Sequence, residues 1–421
     1  MQLVVLIADA DGGNIRKLFT RQWPDRIAVG GPAWLPDGSA IACSIYRTGE
    51  PYFDVLQVGV ADGTHKALIC STKWSFVGRL AWLPDGSGPL MIAQQEGEAH
   101  SQLWRISIAD GKAVRVTNDL SEYSDLVVTA DARVLVAVQK QQLSNVWIAP
   151  VGTGEQPIQI TSGANNYSAV AWTADGKLLY SSNEPGIWVM DEGGGNRRQL
   201  SDITGGEMEV SPDGASVAFS TYRDGTQNIW VMTAEGDNPK RLTQEDGSSF
   251  GPSWTADGKA IIYQFQKRAS VVQSIRRLAL TDLATSLLVE EAPSTTAISP
   301  DGKSAAYVDT DNGIVIASIA GEHPIKALLD VAATKTFSVG PTCGTIGLLS
   351  WSLDGRSMLF RGIKAGVANV WSQSLAGGPP KELTSFNVDH IYSFDVSRDG
   401  KKLACVRGTE TNDAVVIRTS K

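Results

Sequence analysis

The sequence predicts an all-β protein, a β-propeller of about eight to nine four-stranded blades. Three observations predict it: a turn motif centred on Asp recurs along the chain, an apolar residue precedes each copy at a fixed distance, and a second strand-turn-strand pattern recurs between copies. The alternative arrangements are two smaller propellers, or one closed ring with additional strands.

The turn motif is clearest in "VSPDGASVAFS" from Val210. Pro212 has a φ suited to the second position of a tight turn, and Gly214 can adopt positive φ, so a hairpin is predicted before the alternating run that follows. Nine copies occur at intervals of 38 to 53 residues, close to the length of one propeller blade. Their aspartates are Asp37, Asp85, Asp131, Asp175, Asp213, Asp257, Asp301, Asp354 and Asp399. At Ala132 the turn glycine is missing, which predicts a looser hairpin there.

An apolar residue stands three positions before each of these aspartates. The residues are Trp34, Trp82, Val128, Trp172, Val210, Trp254, Ile298, Trp351 and Val396. A single sheet cannot cover both of its faces, so these side chains are expected to pack against the neighbouring blade. Burying each one contributes roughly 1.5–3 kcal/mol before entropy is counted.

The second pattern begins at Gln102, Asn145, Ile187, Asn228 and Asn369, as in "NIWVMTAEGDNPKRLT" from Asn228. It predicts a strand rich in aromatic and β-branched residues, a turn, and a polar outer strand whose charges discourage edge-to-edge pairing.

The chain ends suggest how the repeats are distributed. The last repeat lacks an outer strand, whereas "LVVLIADADGGNIRKLFT" supplies strands of the third and fourth types. We therefore expect residues 1–421 to form a single propeller domain, to be a fragment of a longer chain that starts inside a blade, and to dock their N-terminal strands on the last blade.

Composition narrows the function classes. The net charge of −8 argues against a nucleic-acid partner, and no apolar run is long enough to span a membrane. Cys43, Cys70, Cys343 and Cys405 form no metal-binding pattern, so no metal or other cofactor is predicted, and Cys43 and Cys405 are expected to fill core space.

Four motifs could carry chemistry, but each has a simpler explanation. "GSSFG" around Ser249 fits a nucleophile elbow, yet it lies between two blades with no helix after it. The loops at Asp9 and Asp309 lack the glutamate of a calcium loop, and the glycines near Gly193 occupy a blade turn. The histidines His65, His100, His323 and His390 are scattered. No catalytic, cofactor-binding or metal residue is predicted, and the ligand-binding residues stay unknown.

The repeats closely resemble the WD40-like PD40 repeats of TolB-type β-propellers over essentially the whole chain. Longer phrases, including "GPAWLPDGSAIAC" and "GKKLACVRGTETNDAVVI", are similar to the propeller region that follows the catalytic domain in certain bacterial serine/threonine protein kinases. That resemblance implies a sensory or protein-interaction module in a periplasmic or extracytoplasmic location. The glycine-rich loop, "HRD" and "DFG" of a kinase domain are absent from the sequence.

We therefore expect a non-catalytic scaffold that binds a protein, peptide or small molecule at the channel mouth or at the loops of one face. Three alternatives are a TolB-like periplasmic interaction component, the propeller of a dipeptidyl-peptidase-type serine peptidase without its hydrolase domain, and a lyase or glycan-active propeller. The last of these predicts clustered carboxylates or histidines at the channel.

Overall fold

The computed structural model of the chain describes residues 2–22, 26–27, 30–46, 52–69, 74–95, 98, 100–119, 121–152, 155–163, 165–223, 226–267, 272–292, 296–308, 314–318, 324–329 and 349–418. Within these residues all regular secondary structure is β-strand, and adjacent strands pair antiparallel. The chain divides into two compact units, which are described separately: unit 1 comprises Met1–Gln142 and Glu410–Lys421, and unit 2 comprises Leu143–Thr409.

Unit 1 contains twelve complete strands. They are β1 (Gln2–Ile7), β2 (Arg16–Gln22), β3 (Arg26–Ile27), β4 (Ala33–Trp34), β5 (Ala40–Tyr46), β6 (Phe53–Gly59), β7 (His65–Ala67), β8 (Trp74–Trp82), β9 (Pro89–Gln95), β10 (Gln102–Ile106), β11 (Ala113–Arg115) and β12 (Glu122–Val128). Two long strands, β13 (Val134–Pro150) and β36 (Lys402–Arg418), each contribute one part to unit 1 and the other part to unit 2.

The strands of unit 1 form successive sheets, which we call N1 (β1 and β2), N2 (β3 to β7), N3 (β8 to β11) and N4 (β12 with the unit 1 parts of β13 and β36). A single residue pair, Phe53 with Trp74, joins N2 to N3. Apolar clusters lie between N1 and N2, between N2 and N3, and between N3 and N4.

The remaining strands lie in unit 2. They are β14 (Ile158–Gln159), β15 (Tyr167–Trp172), β16 (Leu178–Ser182), β17 (Ile187–Met190), β18 (Arg198–Ser201), β19 (Gly206–Val210), β20 (Ser216–Thr221), β21 (Asn228–Thr233), β22 (Lys240–Arg241), β23 (Gly247–Trp254), β24 (Ala260–Lys267), β25 (Gln273–Ala279), β26 (Thr285–Ala292), β27 (Thr296–Ile298), β28 (Ser304–Val308), β29 (Ile314–Ser318), β30 (Pro324–Leu329), β31 (Leu349–Trp351), β32 (Ser357–Lys364), β33 (Val367–Ser374), β34 (Lys381–Glu382) and β35 (His390–Val396).

These strands make six blades of four strands each. Blades 1 to 5 are consecutive: β15 to β18, β19 to β22, β23 to β26, β27 to β30, and β31 to β34. Blade 6 combines β35 and β36 with β13 and β14, so both ends of unit 2 contribute to one sheet. The Val151 amide donates to the Lys401 carbonyl at 2.8 Å, at the end of the β13–β36 pairing in this blade.

An apolar cluster lies at each of the six interfaces between neighbouring blades, and together they close unit 2 into a ring. Each cluster contains a buried residue from both blades: Val406 and Val170 (blades 6 and 1), Leu179 and Val217 (1 and 2), Ala218 and Tyr263 (2 and 3), Ile262 and Ala305 (3 and 4), Ala306 and Phe360 (4 and 5), and Leu359 and Leu403 (5 and 6). The first strands contact one another between blades 6 and 1, 1 and 2, 2 and 3, and 4 and 5, as the inner strands of a β-propeller do.

The predicted propeller class is therefore confirmed, but the described strands of unit 2 close a ring of six blades, where eight or nine were expected. The reason is where the last repeat packs. Ala404 of β36 lies in the same cluster as Trp172, so the ring closes at the fourth repeat. The N-terminal strands do not complete the last blade, because β13 and β14 occupy that place.

Each interface pairs two side chains of complementary size. The apolar residue before the Asp turn, which we call the wedge, shares a cluster with a residue on the second strand of the preceding sheet. We call this residue the socket; it stands five positions after the Asp of its own turn, or four in the case of Leu179. The pairs, wedge first, are Trp82 with Ala42, Trp172 with Ala404, Trp254 with Ala218, Trp351 with Ala306, Val128 with Leu90, Val210 with Leu179, Ile298 with Ile262, and Val396 with Leu359. A tryptophan wedge always faces an alanine, and a smaller wedge always faces leucine or isoleucine. Trp34, the ninth wedge, is 52% exposed, contrary to expectation.

All nine predicted Asp turns are present. In each, the residue after Asp adopts positive φ and its amide donates to the carbonyl three residues earlier, as Gly214 does to Ser211 at 2.8 Å. Ser or Thr hydroxyls donate to the Asp carboxylates, as Ser211 does to Asp213, and these bonds lower the pKa of Asp213. Ala132 forms the same turn at φ 57°, so the looser hairpin expected there was wrong.

The second sequence pattern corresponds to the third and fourth strands of a sheet, which a side-chain clamp joins. The Thr243 hydroxyl donates to the Asn228 amide oxygen at 3.1 Å and accepts from the Ile229 amide at 3.0 Å. Equivalent bonds link Thr117 with Gln102, Thr161 with Asn145, and Thr384 with Asn369. Cys43 and Cys405 are buried as expected, and burial raises their pKa values to about 11 and about 12.

The wedge–socket pairing predicts a specific double-mutant result. Ala218→Leu overfills the interface with Trp254 and is expected to lower the free energy of unfolding by about 1–3 kcal/mol. Trp254→Val alone leaves a cavity and is expected to cost about 3–5 kcal/mol. Together the two substitutions recreate the Val–Leu pairing of blades 1 and 2. In urea unfolding, the double variant should therefore lose less unfolding free energy than the two single variants lose in sum, by about 0.5–3 kcal/mol. Ala218→Leu with Trp351→Val, at a different interface, is the control and should be additive; additivity in both pairs would contradict the pairing.

The left-handed backbone of Ala132 predicts a stabilising substitution. Because a Cβ makes this conformation unfavourable, Ala132→Gly should raise the unfolding free energy by about 0.5–1 kcal/mol, as measured by thermal unfolding followed by circular dichroism. The reverse change at the equivalent turn, Gly176→Ala at φ 80°, should lower it. An unchanged or lower stability of Ala132→Gly would contradict this explanation.

Candidate functional site

The two faces of unit 2 differ in their connections. Because adjacent strands run antiparallel, the Asp turns and the turns between third and fourth strands share one face, the turn face. The other connections share the opposite face, the loop face. The Asp turns repeat one geometry, whereas the loop-face connections that the structure describes range from two residues between β32 and β33 to seven residues between β34 and β35. Variable loops on a fixed ring are the usual place for binding residues.

Three carboxylates project from the inner strands of the ring: Glu207 and Glu209 on β19, and Asp395 on β35. Glu209 and Asp395 occupy equivalent positions, directly before the wedges Val210 and Val396. These side chains are half-buried, in a part of the fold where most neighbours are apolar.

Glu209 and Asp395 bind the backbone of the next blade. The Trp254 amide donates to Glu209 Oε2 at 3.1 Å, and the Trp172 amide donates to Asp395 Oδ2 at 2.7 Å. The other oxygen of Asp395 accepts from the Val396 amide at 2.8 Å. Both carboxylates therefore link neighbouring blades, since each accepts a hydrogen bond from a backbone amide of the next blade.

Glu207 lies nearer the loop face and has the most unusual environment of the three. Its backbone adopts φ 48°, a conformation that is strained for a residue with a Cβ. Its Oε2 accepts from the Gly251 amide and from the Ser220 hydroxyl, the latter at 3.1 Å, and Gln227 donates to that same hydroxyl at 3.1 Å. Nearby, Tyr222 is 67% exposed.

Burial raises the pKa of all three carboxyls, because the charged form loses solvation. The pKa is about 7 for Glu207, about 8 for Glu209 and about 6 for Asp395, after the backbone hydrogen bonds have partly offset the effect of burial. The charge of Asp395 adds to the increase at Glu209. Perturbed carboxyls of this kind are frequent at functional sites, although structural networks also produce them.

A groove of about 310 Å³ lies on the turn face between blades 3 and 4. The turn residues Thr255, Asp257 and Asp301 line it together with Arg277 and Leu288. The aspartates there accept hydrogen bonds within their own turns, and the charge of Arg277 lies close enough to Asp257 to help lower the pKa of that carboxyl.

The sequence motifs have structural roles where the structure describes them. Ser249 lies inside β23 and is 1% exposed, and its amide donates to the Gln227 carbonyl at 2.8 Å, so no strand–turn–helix elbow forms. Asp9 closes a turn, with its amide donating to Gly13 at 2.9 Å, and Asp191 closes the turn that contains Gly193 in the same way. His65 and His390 lie in different units. Asp309, His323, Cys70 and Cys343 lie outside the described residues.

Sequence analysis missed the inner carboxylates. Their signal is an acidic residue directly before an apolar wedge, as in "MEVSPDG" and "FDVSRDG", where other repeats have Ala, Ser or Val. In the described part of the chain, no three His, Cys, Asp or Glu side chains are grouped to hold a metal ion. Nor does any described helix have the length and apolar character needed to cross a membrane.

Comparison with known proteins agrees with the fold. The TolB beta propeller domain family (PD40) matches residues 140–335. A solved structure of a putative TolB from Agrobacterium tumefaciens is similar with a TM-score of 0.50 and 19% identity, covering 64% of this chain and 99% of that one. The described residues therefore have the β-propeller fold, as the similar TolB structure does.

Curated relatives match shorter segments. Tricorn protease homolog 1 of Streptomyces coelicolor is 31% identical over 144 residues, which is 31% of this chain and 14% of that protein. The Tol-Pal system protein TolB of Anaeromyxobacter dehalogenans is 30% identical over 91 residues, or 20% of each chain. Dipeptidyl-peptidase 5 of Porphyromonas gingivalis is 27% identical over 159 residues, which is 35% of this chain and 22% of that protein. The chain thus spans less than a quarter of these relatives.

The raised carboxyl pKa values predict that stability falls as pH rises. In the unfolded chain these groups ionise near their ordinary values, so their contribution is fully present below about pH 4 and is lost as pH rises through their folded pKa values of about 6 to 8. Glu209→Gln cannot ionise and still accepts the Trp254 amide. Its unfolding free energy should exceed that of the unsubstituted protein at pH 9 by on the order of 2 kcal/mol, with little difference at pH 4.5.

The matched control is Glu235→Gln, which changes an exposed glutamate in the turn between β21 and β22. It should leave the pH dependence of urea unfolding unchanged. Equal pH dependence in Glu209→Gln and the unsubstituted protein would show that Glu209 is not desolvated as described.

Proposed function

We propose that the chain is a non-catalytic β-propeller binding module, and that unit 2 binds a protein or peptide at the inner part of its loop face. The single observation that supports this most is the contrast between the two faces. On the turn face, the Asp turns repeat one geometry in which the polar groups bond within the turn. On the loop face, the connections differ in length, and the strained Glu207 lies there beside the exposed Tyr222.

The chemistry around Glu207 suits a polypeptide ligand. With a pKa of about 7, the carboxyl can accept a hydrogen bond from an amide or amine when ionised and donate one to a carbonyl when protonated. Tyr222 adds an exposed aromatic ring with a polar end, which is the kind of side chain that anchors protein interfaces.

An enzymatic role is the second candidate, because the inner carboxylates are those that a lyase or glycan-active propeller would require. Against it, Asp395 uses both oxygens to accept backbone amides, and Glu209 accepts the Trp254 amide. Only Glu207 faces a connection of variable structure, and catalysis on glycosidic bonds usually needs a pair of available carboxyls.

The relatives support two contexts for this module. One relative carries the name of a Tol-Pal system component, which agrees with a protein-interaction role, and two carry names of peptidases, which keeps the peptidase-propeller alternative open. Attachment to a serine/threonine kinase is a finer proposal, supported by the sequence phrases alone. Sequencing the DNA on both sides of the segment that encodes these residues tests the kinase attachment. A kinase domain and a membrane span encoded upstream would support it, and a hydrolase domain encoded downstream would support the peptidase alternative.

Site-specific cross-linking tests the binding face. A photoreactive phenylalanine analogue placed at Tyr222 should cross-link to a discrete protein in bacterial envelope extract, because this position lies beside the proposed site. The same analogue at Glu235, which is exposed on the turn face, is the control and should give no such product. Products of equal yield from both positions, or none from Tyr222, would contradict the proposal.

An activity-based probe tests the non-catalytic assignment. A fluorophosphonate should not label the protein, because Ser249 is buried within β23. Labelling that disappears in Ser249→Ala would overturn the assignment and favour the peptidase alternative.

A further inference from the structure

A buried arginine without a counter-charge lies between blades 5 and 6. Arg361, on β32, is 8% exposed, and the residues two positions before and after it, Leu359 and Ile363, belong to the apolar cluster between these blades. Its Nη1 donates to the Ile391 carbonyl on β35 at 2.9 Å. Among the described residues, no Asp or Glu forms an ion pair with Arg361, and its Nε is buried without a hydrogen-bond partner.

A second arginine at the same interface has the partners that Arg361 lacks. Arg407, on β36, is 3% exposed, and its Nη2 lies 3.2 Å from the Asp389 carboxylate. Its guanidinium also lies over two rings, with Cζ 4.7 Å from the centroid of Trp147 and 3.9 Å from that of Phe386. The carboxylate and the rings offset the burial of this charge, and within the described part of the chain Arg361 has no equivalent of either.

The missing counter-charge makes the burial of Arg361 unfavourable for the chain by itself. Burial lowers the pKa of its guanidinium, but an arginine in a protein keeps its proton at ordinary pH. An unpaired charge in an apolar interface is among the most costly features of a folded protein, and a single carbonyl does not neutralise it. An anion from outside the chain would supply the charge that the interface lacks.

The free edge of the guanidinium indicates the class of anion. The Ile391 carbonyl occupies Nη1, so Nε and Nη2 are the donors that remain, and two donors on one edge bind a carboxylate through parallel hydrogen bonds. One negative charge neutralises Arg361, whereas a phosphate dianion would leave an unpaired charge in the interface. Ile391 is the second residue of β35, and His390, which begins this strand at the loop face, is exposed, so the site lies next to solvent.

We propose that Arg361 is the binding site for a single carboxylate group, at the loop-face end of the interface between blades 5 and 6. The carboxylate accepts hydrogen bonds from Nε and Nη2 and forms a neutral pair with the guanidinium. Its source is a small organic acid or the end of a polypeptide. The site is separate from Glu207 and Tyr222, which lie on and next to strands of blade 2, so it stands whether or not those two residues bind a polypeptide.

A titration with acetate tests the site on the unsubstituted 421-residue chain. The NMR signal of ¹³C-labelled acetate should report one bound acetate per chain, with a dissociation constant on the order of 1 mM for so small a ligand. Arg361→Gln keeps an amide donor but has no charge, so it should weaken binding at least about tenfold while the far-ultraviolet circular dichroism stays unchanged. The matched control is Arg356→Gln, at an exposed arginine of the same blade, which should bind acetate like the unsubstituted chain.

A second probe distinguishes the two sources of the carboxylate. N-acetylglycine carries the same charged group next to a peptide bond, as the end of a polypeptide does. Binding of N-acetylglycine that is tighter than that of acetate would support the site and assign it to a polypeptide end. Binding that is equal or weaker would support the site and assign it to a small organic acid.

Four results would overturn the proposal. The first three are an unsubstituted chain that binds no acetate, equal binding by Arg361→Gln, and tighter binding of inorganic phosphate than of acetate. The fourth is acetate binding that appears only in Asp330→Asn. Asp330 lies outside the described residues, and that result would make its carboxylate the partner of Arg361 within the chain.

Discussion

The structure depends on steric complementarity between neighbouring sheets. Each sheet is apolar on both faces, so it is stable only when another sheet covers each face. Each interface cluster includes one wedge and one socket among its residues, and their sizes vary in opposite directions: tryptophan shares a cluster with alanine, and valine or isoleucine with leucine or isoleucine. Close packing explains this relation, since two large side chains would overfill the interface and two small ones would leave a cavity.

The same constraint explains how the ring closes. Blade 6 takes its inner strands from the end of unit 2 and its outer strands from the beginning, so hydrogen bonds between β36 and β13 hold the two ends together. Ala404 on β36 then provides the socket for Trp172 on blade 1. Closure therefore depends on backbone pairing within a blade and on side-chain packing between blades, and the two reinforce each other.

The closed ring also creates the environment of the inner carboxylates. Glu209 and Asp395 accept backbone amides of the next blade, and burial between blades raises their pKa values. They belong to the structure that holds the blades in place. Glu207, on the same strand as Glu209 but nearer the loop face, combines strained backbone with an exposed aromatic neighbour, which separates a candidate binding residue from the structural acids.

The sequence alone determined the all-β class, the nine Asp turns, the paired outer strands and the position of every wedge, because these follow from local turn geometry and from the period of apolar residues. Only the tertiary structure decided that six blades close into one ring, that Trp34 stays exposed, and that Glu207, Glu209 and Asp395 become half-buried carboxyls with raised pKa values. The physical reason is that each repeat carries the same local signals, so its sequence does not specify which other repeat it packs against. That choice depends on contacts such as Ala404 with Trp172, which join residues more than two hundred positions apart in the chain.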